Sequence, residues 1–293
     1  MLVFPFFPTS SGSLYERGLK PGYYQHLLDS HKGHESLALE EIEKDLRRSL
    51  PEHPAFQAEE GIERLRRVLY AYSFKSPEVG YCQAMNLFTS VLLLFMGEEE
   101  TFFTLCSVCD RMLPGYYTTN MVGAVVDQHV FERLIEKFMP VLAKHIKDYK
   151  LQLSIACLPW FLTQFTLPMP LEYSCRVLDC FFMDGVRALF MIAVAIMKRN
   201  GEALLAARDD GEMLSIFKEY FANIAESKRN PIPPTDPTAN EAGGYTEFDH
   251  LLATAYNEFN QITEELIVEL RGPSKLKVAH HIGEFSRKMQ IRA

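Results

Sequence analysis

Cysteine, tryptophan and long apolar runs are all scarce in this 293-residue chain, and basic residues are the minority charge. There are six Cys, one Trp, and 30 Lys plus Arg against 38 Asp plus Glu, a formal net charge of −8. The cysteines (Cys82, Cys106, Cys109, Cys157, Cys175, Cys180) are too sparse for a disulfide framework. Most sit in apolar stretches, where a free thiol behaves as a small hydrophobe. The negative balance removes the broad positive field that drives nonspecific nucleic-acid binding, leaving at most a local basic patch. The longest apolar run, Ala188 to Met197, is about half of the ~20 residues a membrane span needs. The opening MLVFPFFPTSSGS has no basic n-region and is broken by Pro5 and Pro8, a poor secretory signal. The expectation is a soluble, cytosolic protein of a reducing compartment.

Several catalytic signatures are missing as well. No GxxxxGK[ST] loop occurs and no GxGxxG opens a helix after a strand, so the chain is not expected to bind a nucleotide by its own fold. HExxH, GxSxG and paired CxxC motifs are absent, which removes zinc proteases and α/β hydrolases. His31 and His34 have an offset that could share a metal, but they read first as solvated turn residues. Cys106 and Cys109 could form a redox pair, yet no thioredoxin-like βαβ pattern surrounds them. Buried packing is the expectation there.

What the chain does have is helical periodicity. Val130, Leu134, Ile135, Phe138, Val141 and Leu142 recur at spacings of three and four, the stripe of an amphipathic helix. Leu65, Val68, Leu69 and Tyr72 repeat it, as do Leu87, Val91, Leu94 and Phe95. Val177 to Met197 is apolar almost all round and predicts a central helical layer buried on several sides. Strand-like alternation hardly occurs, so the fold class is all-α. Glu226 to Gly244 holds four prolines and two adjacent glycines, the composition of a linker. Beyond it, Phe248 to Leu270 predicts one long amphipathic helix. The predicted organisation is a domain over 1–225, a linker over 226–244 and a helical extension over 245–293 that packs back on the second half of the domain.

Two segments concentrate unusual polar chemistry. In Ile42-Glu43-Lys44-Asp45-Leu46-Arg47-Arg48-Ser49-Leu50-Pro51, Asp45 and Arg48 share a helix face, so the carboxylate could orient the guanidinium. Spacing alone favours an ordinary surface ion pair worth about 0.2–0.5 kcal/mol. In Pro77-Glu78-Val79-Gly80-Tyr81-Cys82-Gln83-Ala84-Met85-Asn86, Gly, Tyr, Gln and Asn precede an apolar helix whose free N–H groups suit anions. A loop with a capping hydrogen bond fits the same residues.

The ordered pair IxxDxxR (Ile42, Asp45, Arg48) and YxQ (Tyr81, Cys82, Gln83) resembles the two active-site motifs of TBC-domain Rab GTPase-activating proteins. Trp160-Phe161-Leu162 and the run from Arg176 to Gly185 are similar to later elements of that family, and the likeness covers roughly Ser10 to Ala225. SLPEHPAFQ, GYCQAMN, EEE and RMLPGYY look closest to the subfamily that carries GRAM domains upstream. The resemblance implies a two-lobed all-α fold with an extra C-terminal helix. It implies no independent enzyme activity, but acceleration of GTP hydrolysis in trans on a GTP-bound Rab. Arg48 would be an arginine finger and Gln83 a glutamine finger, with Asp45, Tyr81, Asn86 and Ile42 in support. The chain would hold no metal or cofactor of its own, since GTP and Mg²⁺ come with the Rab. It would act in the cytoplasm, recruited to endomembranes through the lipid-anchored Rab. A catalytically weak Rab-binding or scaffold module in membrane trafficking is the alternative. The chain departs from the family pattern at Ala84, where glycine is common, and at Ser49, a frequent threonine. MLVFPFFPTSS also stands where an R-x-x-x-W element would end, which predicts a shortened or rebuilt first helix.

Overall fold

The computed structural model describes residues 7–227, 246–276 and 278. Met1 to Phe6, most of the predicted linker and the last residues of the predicted extension lie outside the described residues. Every regular element among the described residues is helical, as the periodicity requires. The described residues fall into two compact units, one within 7–123, 162–167 and 174–185, the other within 124–161, 168–173, 186–227, 246–276 and 278.

The first unit opens with α1 (Phe7–Ser10), α2 (Ser13–Leu19) and α3 (Tyr23–Ser30), then α4 (Leu37–Leu46), α5 (Pro54–Gln57) and α6 (Glu59–Lys75). Its spine is α6, whose Leu65, Val68, Leu69 and Tyr72 are at most 1% exposed. Helix α4 begins at Ser36, whose hydroxyl accepts from the Leu39 amide at 3.4 Å, a side-chain N-cap. It lays Leu39, Ile42 and Leu46 into the core, each worth about 1.5–3 kcal/mol of apolar burial. Polar contacts then fix α4 against α6. Glu43 accepts from Arg66 Nε at 2.6 Å, from Arg66 Nη2 at 3.0 Å and from the Tyr70 hydroxyl at 2.6 Å. Burial pushes the Glu43 carboxyl up, but the bonds from Arg66 and Tyr70 outweigh it and hold the group below its ordinary range. Helices α7 (Met85–Leu93) and α8 (Glu98–Ser107) follow, and the chain continues from α8 into a π-helical turn, Val108–Met112. Arg64 of α6 donates to the Met96 carbonyl at 3.2 Å, just past the end of α7.

The helix expected across Leu87 to Phe95 differs in phase. Leu87 and Leu94 are half-buried and Phe95 is 43% exposed, while Met85, Phe88, Val91 and Leu92 are fully covered. The helix is apolar on nearly every side, so a single stripe could not be read from it.

The second unit contains most of α9 (Val122–Phe138), all of α10 (Pro140–Asp148), and α13 (Val186–Arg199), α14 (Gly201–Ala206), α15 (Asp210–Ser227) and α16 (Glu247–Glu258). Helices α11 (Leu153–Leu162) and α12 (Leu171–Asp184) each contribute residues to both units. The stripe from Val130 to Leu142 is two helices, because Pro140 has no N–H to continue α9 and instead occupies the first turn of α10. Val141 is consequently 70% exposed. Gly185, at φ 67°, likewise separates α12 from α13. Ala188 to Met197 of α13 have no exposed surface, the buried layer that their composition predicts.

The extension is bonded into this second unit. Phe248, Leu251 and Ala255 of α16 are fully buried, and Phe248 stacks on Tyr173 with ring centroids 4.6 Å apart. Arg199 pairs with Glu247 and Lys198 with Glu258. The one long helix expected over Phe248 to Leu270 is in fact broken. Phe259 leaves helical geometry, Ile262 is fully buried, and a further helix, α17 (264–276), starts after Thr263, whose hydroxyl accepts from the Leu266 amide at 3.3 Å. Arg271 of α17 forms a two-pronged bond to Asp127 of α9 at 2.7 and 2.6 Å, with Asp127 only 1% exposed. The expected boundary at 225 falls inside α15, which runs to Ser227. No described helix is long and apolar enough to cross a membrane.

Candidate active site at the Arg48 and Gln83 turns

Both candidate segments lie in the first unit. At the end of α4 the backbone tightens, with the Arg48 amide donating to the Asp45 carbonyl at 3.0 Å and Ser49 to Leu46 at 3.2 Å. Arg48 turns back over this end. Its Nε donates to the Lys44 carbonyl at 3.2 Å, and Nη2 donates to Asp45 Oδ1. The Arg48 side chain is still 66% exposed while that of Asp45 is 8% exposed. A covered carboxylate therefore orients a guanidinium whose remaining donors face solvent.

The second oxygen of Asp45 accepts from the Tyr81 hydroxyl at 2.8 Å. Burial, then the bond to Asp45, pushes the Tyr81 phenol far above its ordinary value, so it stays a donor. At the start of α7, Asn86 Nδ2 donates to the Ser49 hydroxyl at 2.7 Å and to the Asp45 carbonyl at 3.4 Å. The turn from Tyr81 to Asn86 is thus tied at both ends to the turn from Asp45 to Ser49. Gln83 stands between those ties, exposed, with its carboxamide unbonded among the described residues.

Two left-handed residues shape the Gln83 turn. Gly80 has φ 60°, and a Cβ there would meet the Ala38 Cβ of α4 at 3.1 Å, so glycine serves both conformation and close approach. Ala84, which precedes α7, has φ 95° and ψ −26°. An alanine in this region is strained.

Of the residues singled out in the sequence, Asp45, Arg48, Tyr81 and Asn86 form one bonded network, and Gln83 is carried on it. Ile42 is fully buried and serves by seating α4. Ser49 is the part that sequence reasoning missed. Its position four residues after Asp45 permits a bond back to the Asp45 carbonyl, observed at 2.9 Å, but its bond to Asn86 has no local signal. Elsewhere, His31 donates to the Leu27 carbonyl at 2.9 Å and stacks on Phe74 with centroids 4.4 Å apart. No metal-binding group of three or more His, Cys, Asp or Glu occurs among the described residues. Cys106 and Cys109 are buried, and burial pushes the Cys106 thiol up to about 12 and that of Cys109 higher still.

A profile of the Rab-GTPase-TBC domain matches residues 15–205. The chain belongs to the Rab-GTPase-TBC domain family. A protein of Emericella nidulans is 47% identical to this chain over 284 residues, covering 97% of this chain and 25% of its own length. The GTPase-activating protein gyp2 of Schizosaccharomyces pombe is 35% identical over 288 residues, covering 97% of this chain and 39% of its own length. The chain therefore spans between a quarter and two fifths of these relatives. The crystal structure of the Chlamydomonas flagellar RabGAP TBC domain is similar at a TM-score of 0.70 and 26% identity, over 86% of this chain and 78% of that one. The TBC match ends at residue 205, inside α14, and α15, α16 and α17 beyond it contribute buried side chains to the second unit.

Proposed function

We propose that this TBC chain is a GTPase activator for a Rab-family small GTPase, acting in trans through Arg48 and Gln83. The observation that carries the reading is the shared carboxylate of Asp45, bonded to Arg48 on one side and to Tyr81 on the other. This joins two motifs that lie 35 positions apart at their working residues and leaves both working side chains facing solvent.

The chemistry asks for such an arrangement. Phosphoryl transfer from GTP to water gathers charge on the γ-phosphoryl and leaving oxygens. A guanidinium supplies a planar set of donors that can contact two of those oxygens. In arginine-finger systems this is worth ~10³ to 10⁵ in rate, or roughly 4 to 7 kcal/mol. Asp45 and the Lys44 carbonyl fix Arg48 before the partner arrives, lowering the entropic cost of placing it. Gln83 offers an acceptor and two donors on one amide, suited to orienting the attacking water while donating to phosphate or to the partner's backbone. GTP and Mg²⁺ belong to the Rab, and the chain alone is expected neither to bind nor to hydrolyse GTP. Action in the cytoplasm, with recruitment to endomembranes by the lipid-anchored Rab, follows from the same reading.

The second reading, a Rab-binding or scaffold module, has in its favour the strain at Ala84 beside Gln83. Pure binding has no need of a guanidinium prepositioned by a covered carboxylate, which favours the activator. GTP hydrolysis measured for this chain against a panel of purified Rabs separates them. Acceleration of at least one Rab is expected, and binding without acceleration of any would leave only the module.

A further inference from the structure

The Asp45 carboxylate accounts for Arg48 but holds the Gln83 turn only by its Tyr81 end. The other end rests on Ser49. This residue is 1% exposed, and its hydroxyl donates to the Asp45 carbonyl at 2.9 Å and accepts from Asn86 Nδ2 at 2.7 Å, with Asn86 itself 4% exposed. Between the two ties, the turn has short-range bonds alone, from the Met85 amide to the Cys82 carbonyl at 3.1 Å, from the Cys82 amide to Met85 Sδ at 3.3 Å and from the Cys82 thiol to the Gln83 carbonyl at 3.5 Å, and the left-handed Ala84 at φ 95°. A strained backbone of this kind persists only when its surroundings over-determine it.

We propose that Ser49 is a positioning residue for Gln83, holding the start of α7 through Asn86 so that the carboxamide stands in register with Arg48. This rests on the activator reading above. Without the hydroxyl, the Asn86 side chain keeps only its longer bond to the Asp45 carbonyl at 3.4 Å, and this end of the Gln83 turn is held more loosely. Neither Ser49 nor Asn86 reaches the surface on which a GTPase would dock. A change at either therefore alters the rate at saturation and not the concentration of Rab needed to reach it.

The test uses the full chain with Ser49→Ala, Asn86→Ala and their double variant, at a temperature where circular dichroism shows each folded. Single-turnover hydrolysis at saturating Rab should fall about 10-fold in each single variant and no further in the double, since one link is removed from either side. In a Gln83→Ala background, Ser49→Ala should cost less than about twofold, and Ser49→Thr, which keeps the hydroxyl, should retain most of the rate. A loss in the Gln83→Ala background as large as in the wild type would overturn the proposal, as would full activity of Ser49→Ala. A second readout needs no Rab. Cys82, half-buried beside Gln83, should be alkylated by iodoacetamide several-fold faster in Ser49→Ala, as read by peptide mapping. If the wild type accelerates no Rab, the activator reading fails by itself. Unchanged Cys82 labelling in folded Ser49→Ala and Asn86→Ala would then overturn the coupling of the two turns.

Discussion

Arg48 leaves the end of α4 and is held by a carboxylate three positions earlier, whereas Gln83 sits in a strained turn held by residues more than thirty positions away. The Arg48 turn is a helix terminus with a local ion pair, and its geometry follows from the tightened i to i−3 bonds that close α4. The Gln83 turn has no such template. Gly80 and Ala84 bend it through left-handed conformations, and Asp45 and Ser49 supply its side-chain bonds to the Arg48 turn. The arginine half of the site is preset by local structure, and the glutamine half is borrowed from it.

The contrast between the halves is sharpest at the two side chains themselves. Arg48→Ala should lower single-turnover hydrolysis by ~10³ or more, and Arg48→Lys should recover little, because an ammonium lacks the planar fork. Near wild-type rates from folded Arg48→Ala would break the arginine half outright. Gln83→Ala should cost about 10² in the same assay, the size expected on losing one directed polar group in the transition state, with Rab affinity changed far less.

Smaller effects probe the supports. Tyr81→Phe removes the donor to a covered carboxylate and should lower stability by about 1 kcal/mol in denaturant melts. Its rate loss should exceed that of any surface control, because it frees the end of the Gln83 turn nearest Asp45. Ala84→Gly relieves a left-handed alanine worth roughly 1–2 kcal/mol against a loss of about 0.4–1 from added freedom in the unfolded chain. A net gain of about 0.5–1 kcal/mol is expected, and a lower melting temperature would contradict the strain assigned there. Arg47→Ala, which removes only the exposed pair with Glu59 at 3.1 Å, should change stability by less than ~0.5 kcal/mol and the rate hardly at all. A large rate loss there would mean that charge around the site, and not the position of Arg48, carries the effect.

Much of this molecule is legible in its residue pattern. The buried stripe of α6 and the apolar helix α13 follow from a period of 3.6 residues, and Asp45 and Arg48 pair at their three-residue offset although Arg48 stands in the turn past the end of α4 and not on its face. Periodicity misleads where the pattern continues across a break. Pro140 divides α9 from α10, and the chain turns between Phe259 and Thr263 although the apolar spacing runs on. Apolar spacing reports which side chains seek cover, and not whether the backbone between them is continuous. The bond from Asn86 to Ser49 and that from Arg271 to Asp127 are illegible for another reason. Their partners lie 37 and 144 positions away, and a lone serine or arginine carries no mark of what it will meet.

Composition and spacing alone therefore determined that this chain is helical, lacks a phosphate loop and carries IxxDxxR and YxQ in order. Those properties depend on neighbours within a few turns, where helix geometry fixes which residues share a face. Tertiary structure alone decided that Asp45 would serve both Arg48 and Tyr81, that Ser49 would hold Asn86, and that Arg271 of α17 would pair with Asp127 of α9. Each of those outcomes needs two distant segments brought within about 3 Å, the range at which a hydrogen bond forms. Packing of the apolar faces supplies that approach, and no local pattern specifies it.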